Sequence, residues 1–259
     1  MTSGDPRFVW YELMTGDPDA AARFYSEVVG WTATDAGMPD MRYSIFATDA
    51  GPVGGLMSIP DEARAAGAGP AWIGYVGVDD VDAMALRIEA AGGRVHRAPD
   101  DIPGVGRFAM VSDPHGGAFA LFSPAEGDDP PPPAPPGTPG QAGWRELMAD
   151  DLDTAFAFYA AMFGWTRAEA HDMGPVGIYQ LFAAGGETIG GMMTRMPDMP
   201  SAFWTYYFNV ADIDAAAARV TAAGGKVVNG PMEVPGGSRI LQGLDPQGAM
   251  FALVAPAAG

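Results

Sequence analysis

The sequence predicts an α+β fold of four similar strand–helix–strand modules, set out as two tandem domains joined by a linker. Three observations predict it. A proline- and glycine-rich run interrupts the 259-residue chain near its middle, the residues on either side of it repeat the same landmarks, and each half reads strand, helix, strands twice over. A length of this order already favours two domains over one. The run Asp129-Pro-Pro-Pro-Pro-Ala-Pro-Pro-Gly-Thr-Pro-Gly140 offers too few backbone N–H groups for a helix or an inner strand and favours an extended spacer. The expected organisation is a first domain over 1–126, a linker over 127–142 and a second domain over 143–259.

The repeat is read residue by residue. Trp10-Tyr-Glu-Leu-Met14 matches Trp144-Arg-Glu-Leu-Met148, Phe24-Tyr25 matches Phe158-Tyr159, and Gly30-Trp31 matches Gly164-Trp165, all 134 positions apart. Gly54-Gly55 pairs with Gly190-Gly191 at 136, and Trp72, Asp80, Arg107 and Asp113-Pro114 find Trp204, Asp212, Arg239 and Asp245-Pro246 at 132. Offsets that wander by so little imply loop changes on one scaffold.

Each element has a local reason. Phe8 to Met14 is a short apolar-rich strand, and Asp17-Pro18 supplies an N-cap and a proline suited to the first helical turn. Ala21, Phe24, Tyr25 and Val28 follow at helical spacing until Gly30 stops the helix. Strands are expected around Tyr43–Ala47 and Val53–Ser58, then from Trp72 to Val78. Asp80 caps a helix through Ala91, which Gly92-Gly93 ends. Strands near Arg94–Arg97, Arg107–Val111 and Ala118–Phe122 complete the half, with Asp113-Pro-His-Gly-Gly117 as the last turn. Phe24-Tyr25, Phe158-Tyr159, Trp31 and Trp165 read as core, and the acidic residues at Asp79-Asp80 and Asp212 as helix caps.

Composition narrows function. With 32 acidic and 14 basic residues the formal charge is −18, so nucleic acid and anionic membrane surfaces are poor partners, while a cationic or aromatic small molecule is compatible. The absence of cysteine removes disulfides, thiolate nucleophiles and Cys-ligated metal sites. No secretory leader and no membrane-spanning run is read, so the default expectation is a cytoplasmic protein, either monomer or homodimer.

Asp17-Pro-Asp-Ala-Ala-Ala-Arg-Phe-Tyr25, Gly54-Gly-Leu-Met57, Asp79-Asp-Val-Asp-Ala83, Ala91-Gly-Gly-Arg-Val95 and Asp113-Pro-His-Gly-Gly-Ala-Phe119 together resemble the vicinal oxygen chelate superfamily. That group holds glyoxalases, extradiol dioxygenases and bleomycin-resistance proteins. The resemblance implies four βαβββ modules forming two glyoxalase-like domains, each curling mixed sheets around a cleft. In metal-dependent members it also implies donors on the first, fifth and last strands. The matching positions here are Trp10 and Trp144, Ile73 and Thr205, Ala120 and Ala252, which are poor ligands for a divalent ion. His96, His115 and His171 do not repeat between halves, and none is expected on a cavity-facing strand with a partner at ligand spacing. No metal and no cofactor is therefore expected.

Strand alternation sets Trp10, Glu12 and Met14 on one face, with Trp144, Glu146 and Met148 likewise, and the resemblance turns that face toward the cleft. Arg107 and Arg239 are the expected partners of Glu12 and Glu146, because a buried carboxylate left unpaired is costly. Three roles stay open for the two glutamates: a structural ion pair, a ligand-binding carboxylate, or a general base whose pKa an apolar setting would raise. Further ligand-binding candidates are Tyr43, Met57, Trp72, Tyr75 and Phe108 in the first half, with Met110 beside them. The second half offers Tyr179, Met192 with Met193, Trp204 and Tyr207 with Tyr206. Sixteen methionines suit adaptable apolar pockets. The expected function is metal-independent binding of an organic small molecule, of a sequestering or resistance type. The alternative is a glyoxalase-, lyase- or hydroxylase-type enzyme on a small oxygenated metabolite, with Glu12 or Glu146 as base.

Overall fold

The computed structural model of the protein describes residues 6–38, 41–125, 127 and 134–256; most of the proline run lies outside them. The first half forms β1 (Phe8–Thr15), α1 (Pro18–Val29), β2 (Thr32–Asp35), β3 (Tyr43–Thr48), β4 (Gly51–Ser58) and a short α2 (Asp61–Ala65). It continues with β5 (Ala71–Gly77), α3 (Val81–Ala90), β6 (Arg94–Ile102), β7 (Gly106–Ser112) and β8 (Ala118–Pro124). The second half repeats the plan: β9 (Ala142–Ala149), α4 (Leu152–Phe163), β10 (Thr166–Asp172), β11 (Ile178–Ala184) and β12 (Glu187–Thr194). Then come β13 (Phe203–Asn209), α5 (Ile213–Ala222), β14 (Lys226–Glu233), β15 (Arg239–Leu244) and β16 (Met250–Ala255). This is the expected α+β class.

The two eight-stranded sheets have the same order, β2-β3-β4-β1-β5-β8-β7-β6 and β10-β11-β12-β9-β13-β16-β15-β14. Within each, β1 with β4 and β5 with β8 run parallel, as do β9 with β12 and β13 with β16, while the outer pairs are antiparallel hairpins. Parallel pairs need a crossover, and the helix of each module supplies it.

The helix starts follow the expected capping. Asp17, Asp80 and Asp151 each accept the backbone N–H three residues on, at 3.0, 2.9 and 2.8 Å, and Asp212 does the same for Ala215 at 3.0 Å. Each such cap is worth about 1 kcal/mol. Gly30 and Gly164 end α1 and α4 in the left-handed conformation, where a Cβ would be strained.

Two compact units emerge, and each takes one module from either side of the linker. One comprises Met1–Val9, Gly74–Pro132 and Arg145–Trp204; the other comprises Trp10–Ile73, Pro133–Trp144 and Thr205–Gly259. In the second of these, the buried phenol of Tyr25 is the hub. Trp31 stacks on it at 5.6 Å, Trp72 and Phe251 meet it edge-on, and Trp72 Nε1 donates to its oxygen at 2.8 Å. Tyr25 in turn donates to Asp245 Oδ2 at 3.3 Å, whose other oxygen accepts the Gln247 and Ala249 N–H groups at 2.9 Å. Burial pushes both the Tyr25 phenol and the Asp245 carboxyl above their ordinary ranges. The first unit has the same relay from Trp204 to Tyr159 at 3.0 Å and from Tyr159 to Asp113 at 3.0 Å, with Trp165 stacked on Tyr159 at 5.4 Å. The buried indole, phenol and carboxylate groups of these two relays thus carry their hydrogen bonds through the core.

Three elements escape sequence reading. All four residues of β2 are exposed, so it shows no alternation, and the α2 turn buries nothing. β10 is likewise mostly exposed and falls in a stretch without repeat landmarks.

Candidate functional site

The sheet faces are told apart by what touches the helices. On β5, Trp72 meets Tyr25 of α1, so Trp72, Gly74 and Val76 share the helix side and Ile73 and Tyr75 the other. On β13, Trp204 meets Tyr159 of α4, which turns Thr205 and Tyr207 to the helix-free side. Trp72 and Trp204 are therefore packing residues, contrary to the expectation that they line the clefts. Their indole N–H groups are already spent on the core tyrosines.

On β1, Trp10, Glu12 and Met14 share the helix-free side. Glu12 stands in register with Gly55 of β4 and Met14 with Met57, and Met57 in turn with Tyr43 of β3. A Cβ at Gly55 would overlap the Tyr43 phenol, so the ring lies across the bare glycine. From there the hydroxyl hydrogen-bonds Glu12 and accepts from Trp10 Nε1 at 3.1 Å. Burial, and then the Glu12 charge, hold the Tyr43 phenol far above its ordinary range.

The second half builds the same device in the other compact unit. Glu146 is in register with Gly191 and Met148 with Met193, and a Cβ at Gly191 would lie 2.5 Å from Tyr179 Oη. Tyr179 donates to Glu146 Oε2 at 3.0 Å, and Trp144 precedes Glu146 by two positions on β9. Both glutamates are 7% exposed. In register terms the partner of Met148 is Met193. Met192, expected at the site, is fully buried on the opposite face beside Leu147.

The remaining modules contribute aromatic walls of their own. Tyr75 and Met110 both lie in register with Ala120, and Phe108 with Phe122, while Arg97 sits 4.8 Å over the Phe108 ring. In the other unit, Tyr207 and Gln242 flank Ala252; Gln242 Nε2 donates to Tyr207 Oη at 2.7 Å and Asn229 Nδ2 to Gln242 Oε1 at 3.1 Å.

The expected Glu12–Arg107 and Glu146–Arg239 pairs are not what the arginines make. Arg107 binds Asp82 on α3 at 2.6 and 2.8 Å and Asp101 on β6 at 2.8 Å; Arg239 binds Asp214 on α5 at 2.5 and 3.0 Å. Both occupy the helix side of their strands, one residue out of phase with the site face, so neither is a site residue. The glutamate's visible partner is instead a tyrosine from a neighbouring hairpin. The glycine in register with the carboxylate was the only sequence signal for it.

The histidines separate. His96 Nε2 meets Ser112 Oγ at 3.0 Å, and His115 Nε2 meets Thr154 Oγ1 at 3.2 Å. His171 lies on β10 directly across from Tyr179, on a strand that carries no repeat landmark.

The donor chemistry does not fit a divalent metal. The positions at which the resemblance expects donors, Trp10, Ile73 and Ala120 in one half and Trp144, Thr205 and Ala252 in the other, carry indoles, alkyl groups and one hydroxyl, which are poor ligands for such an ion. Among the described residues no three His, Cys, Asp or Glu side chains gather. No helix among them is long and apolar enough to cross a membrane.

Comparison with known proteins gives the fold its family. The sequence profile of the glyoxalase/bleomycin resistance protein/dioxygenase superfamily matches residues 7–121 and again 141–253. The glyoxylase-named protein CFP32 of Mycobacterium tuberculosis is 35% identical over 251 residues, 96% of this chain and 94% of its own. The anthracycline biosynthesis protein DauV of Streptomyces sp. strain C5 is 36% identical over 262 residues, 95% of this chain and 91% of its own. Among solved structures, the Mn(II)-bound glyoxalase from Novosphingobium aromaticivorans superposes with a TM-score of 0.66 at 17% identity, covering 98% of this chain and 83% of its own. Homoprotocatechuate 2,3-dioxygenase from B. fuscum gives 0.67 at 15% identity, covering all of this chain and 74% of its own. Two matched domains and relatives aligned along nearly their whole length place this chain in the glyoxalase/bleomycin resistance protein/dioxygenase superfamily.

Proposed function

We propose that this chain binds an organic small molecule on the helix-free face of its sheets, around Glu12 and around Glu146, without enlisting a divalent ion. One observation carries the reading. In both halves a nearly buried glutamate, bridged by a tyrosine lying over a glycine, stands beside a methionine pair where the superfamily's metal donors are missing. A carboxylate held in an apolar, ring-rich wall recognises a hydroxyl or ammonium group on an otherwise apolar ligand. Thioethers pack adaptably on aromatic faces. The name of the Streptomyces relative supports a planar polycyclic ligand, and the charge of −18 favours encounter with a cationic one.

Fluorescence titration with 1,4-dihydroxyanthraquinone tests this on the full chain after treatment with EDTA. The expected result is saturable binding that chelation leaves unchanged and that Glu12→Gln or Glu146→Gln weakens about tenfold, the loss of one charged hydrogen bond. Affinity untouched by both substitutions removes the glutamates from recognition. A second reading, an enzyme using one glutamate as general base, is favoured by the name of the mycobacterial relative and by the closeness of carboxylate and phenol.

A further inference from the structure

The second module of each half keeps a tyrosine and an alanine but changes what stands beside them. Tyr75 and Ala120 match Tyr207 and Ala252 at an offset of 132, and at the same offset Met110 and Arg97 give way to Gln242 and Asn229. Phe119 packs on Tyr159 of α4 and Phe251 on Tyr25 of α1, so Ala120 and Ala252, one position on, face the helix-free side. There Ala252 is in register with Tyr207 of β13 and with Gln242 of β15, and the 2.7 Å bond from Gln242 Nε2 to Tyr207 Oη bridges over its methyl. Asn229, exposed on the edge strand β14, stands opposite Gln242 and donates its Nδ2–H to Gln242 Oε1 at 3.1 Å. The two bonds orient the Gln242 carboxamide, with its oxygen toward β14 and its nitrogen toward β13. In the first half a thioether takes the place of that carboxamide, and Arg97 turns to Asp100 at 2.8 Å and to the Phe108 ring at 4.8 Å.

We infer that the face over Ala252 selects a ring compound bearing a carboxamide, read by Asn229 and Gln242, whereas the matching face over Ala120 selects an apolar edge. The inference rests on the reading that the helix-free faces admit an organic ligand, and it names the ligand group that sets one half apart from the other. A side-chain carboxamide carries two N–H hydrogens and an oxygen with two lone pairs, so the single bond to Gln242 does not exhaust Asn229. A group that both donates and accepts in one plane matches such a side chain, with one N–H···O bond in each direction. A methyl group returns neither bond, and a ketone returns only one. A wall built to hydrogen-bond its ligand rejects an analogue lacking the polar group, because the wall's own amides lose their partners on binding it. Over Ala120 the thioether of Met110 and the rings of Tyr75 and Phe108 pack on apolar surface and gain nothing from a carboxamide.

Gln242 also positions Asn229, since it ties that side chain to Tyr207 two strands further in. Asn229→Asp keeps the size but cannot donate. The Gln242 carboxamide then turns round to give the new carboxylate an N–H, and the recognition pattern inverts. Gln242→Met installs the residue that the first half carries at the same place. Amides that merely fasten the edge strand β14 to the sheet would alter stability on substitution and leave ligand preference alone.

The test compares anthraquinone-2-carboxamide with 2-methylanthraquinone, which differ only in that substituent, by calorimetric titration into the full, EDTA-treated chain. The expected result is a site that binds the carboxamide about tenfold more tightly than the methyl compound. Gln242→Met abolishes the preference, and Met110→Leu in the other half leaves it intact. Asn229→Asp, at an exposed position, also abolishes it and is the variant to read should Gln242→Met fail to fold. Equal affinity for the two compounds, a preference that survives Gln242→Met or Asn229→Asp, or one that Met110→Leu removes overturns the inference. Binding of 1,4-dihydroxyanthraquinone with no preference between the two test compounds overturns this inference alone; failure of all three to bind overturns the underlying binding reading too.

Discussion

Gly191→Ala asks most of the proposed site architecture. The added methyl would sit 2.3, 2.4 and 2.5 Å from Tyr179 Cζ, Cε1 and Oη, against an ordinary contact of 3.4 Å or more, so the edge of the ring, with its hydroxyl, must recede by about 1.1 Å. Its 3.0 Å bond to Glu146 then stretches beyond hydrogen-bond range. A hydrogen bond to a charged group contributes about 1.5–3 kcal/mol, which in a chain of this size lowers the melting temperature by about 4–8 °C. The displaced phenol is the free end of a side chain, so the backbone and the core around Tyr159 stay in place. The assay is a thermal double-mutant cycle with Tyr179→Phe. In the phenylalanine background there is no bond left to lose, so Gly191→Ala costs less there by about 1.5 kcal/mol or more. Equal costs in the two backgrounds would refute the claim that the glycine exists to seat the tyrosine on the glutamate.

Other outcomes follow from the same contacts. Asp245→Ala strands the Gln247 and Ala249 N–H groups and the Tyr25 hydroxyl and lowers stability by about 3 kcal/mol in a denaturant titration, while Asp245→Asn, which keeps an acceptor, lowers it less. Because burial raises the Asp245 pKa, the folded chain holds a proton that the unfolded chain has released. This group's contribution therefore declines as pH rises from the unfolded value, about 3.9, through the higher folded one, and Asp245→Asn removes that slope in stability–pH curves. Arg107→Leu loses exposed ion pairs to Asp82 and Asp101, changes stability little in a denaturant titration, and leaves anthraquinone affinity as it was. A dicationic probe, 1,4-bis(2-aminoethylamino)anthraquinone, associates faster than the neutral dihydroxy compound at low salt, and stopped-flow rates converge as salt screens the field of the acidic chain. Rates insensitive to salt would show that the net charge does not steer the ligand.

Much of the fold was legible because its signals are local. Asp17, Asp80, Asp151 and Asp212 cap the helices that their spacing announces, and the 132–136-residue repeat fixed the order of the strands. Strand alternation also accounts for Glu12 facing Gly55 with Met14 facing Met57, and Glu146 facing Gly191 with Met148 facing Met193. What failed depended on register or on partners distant in sequence. Arg107 and Arg239 repeat as faithfully as site residues would, yet their companions are first-turn aspartates of α3 and α5, 25 positions away. Trp72 and Trp204 repeat too, but strand phase turns them to the helix side, where Tyr25 and Tyr159 take their N–H groups. Met192 was one position out of phase with Met193. His171 was hidden because an exposed edge strand carries no hydrophobic rhythm to announce it. Within each compact unit the Tyr–Asp relay crosses between modules from either side of the linker, and no pattern within one half could show it.

The most direct measurement is isothermal titration of 1,4-dihydroxyanthraquinone into the full chain before and after exhaustive chelation, with Mn(II) added back at the end. If indole, phenol and thioether walls have replaced inorganic coordination, the three isotherms superimpose. Heat that vanishes on chelation and returns with the ion would contradict the account at its base.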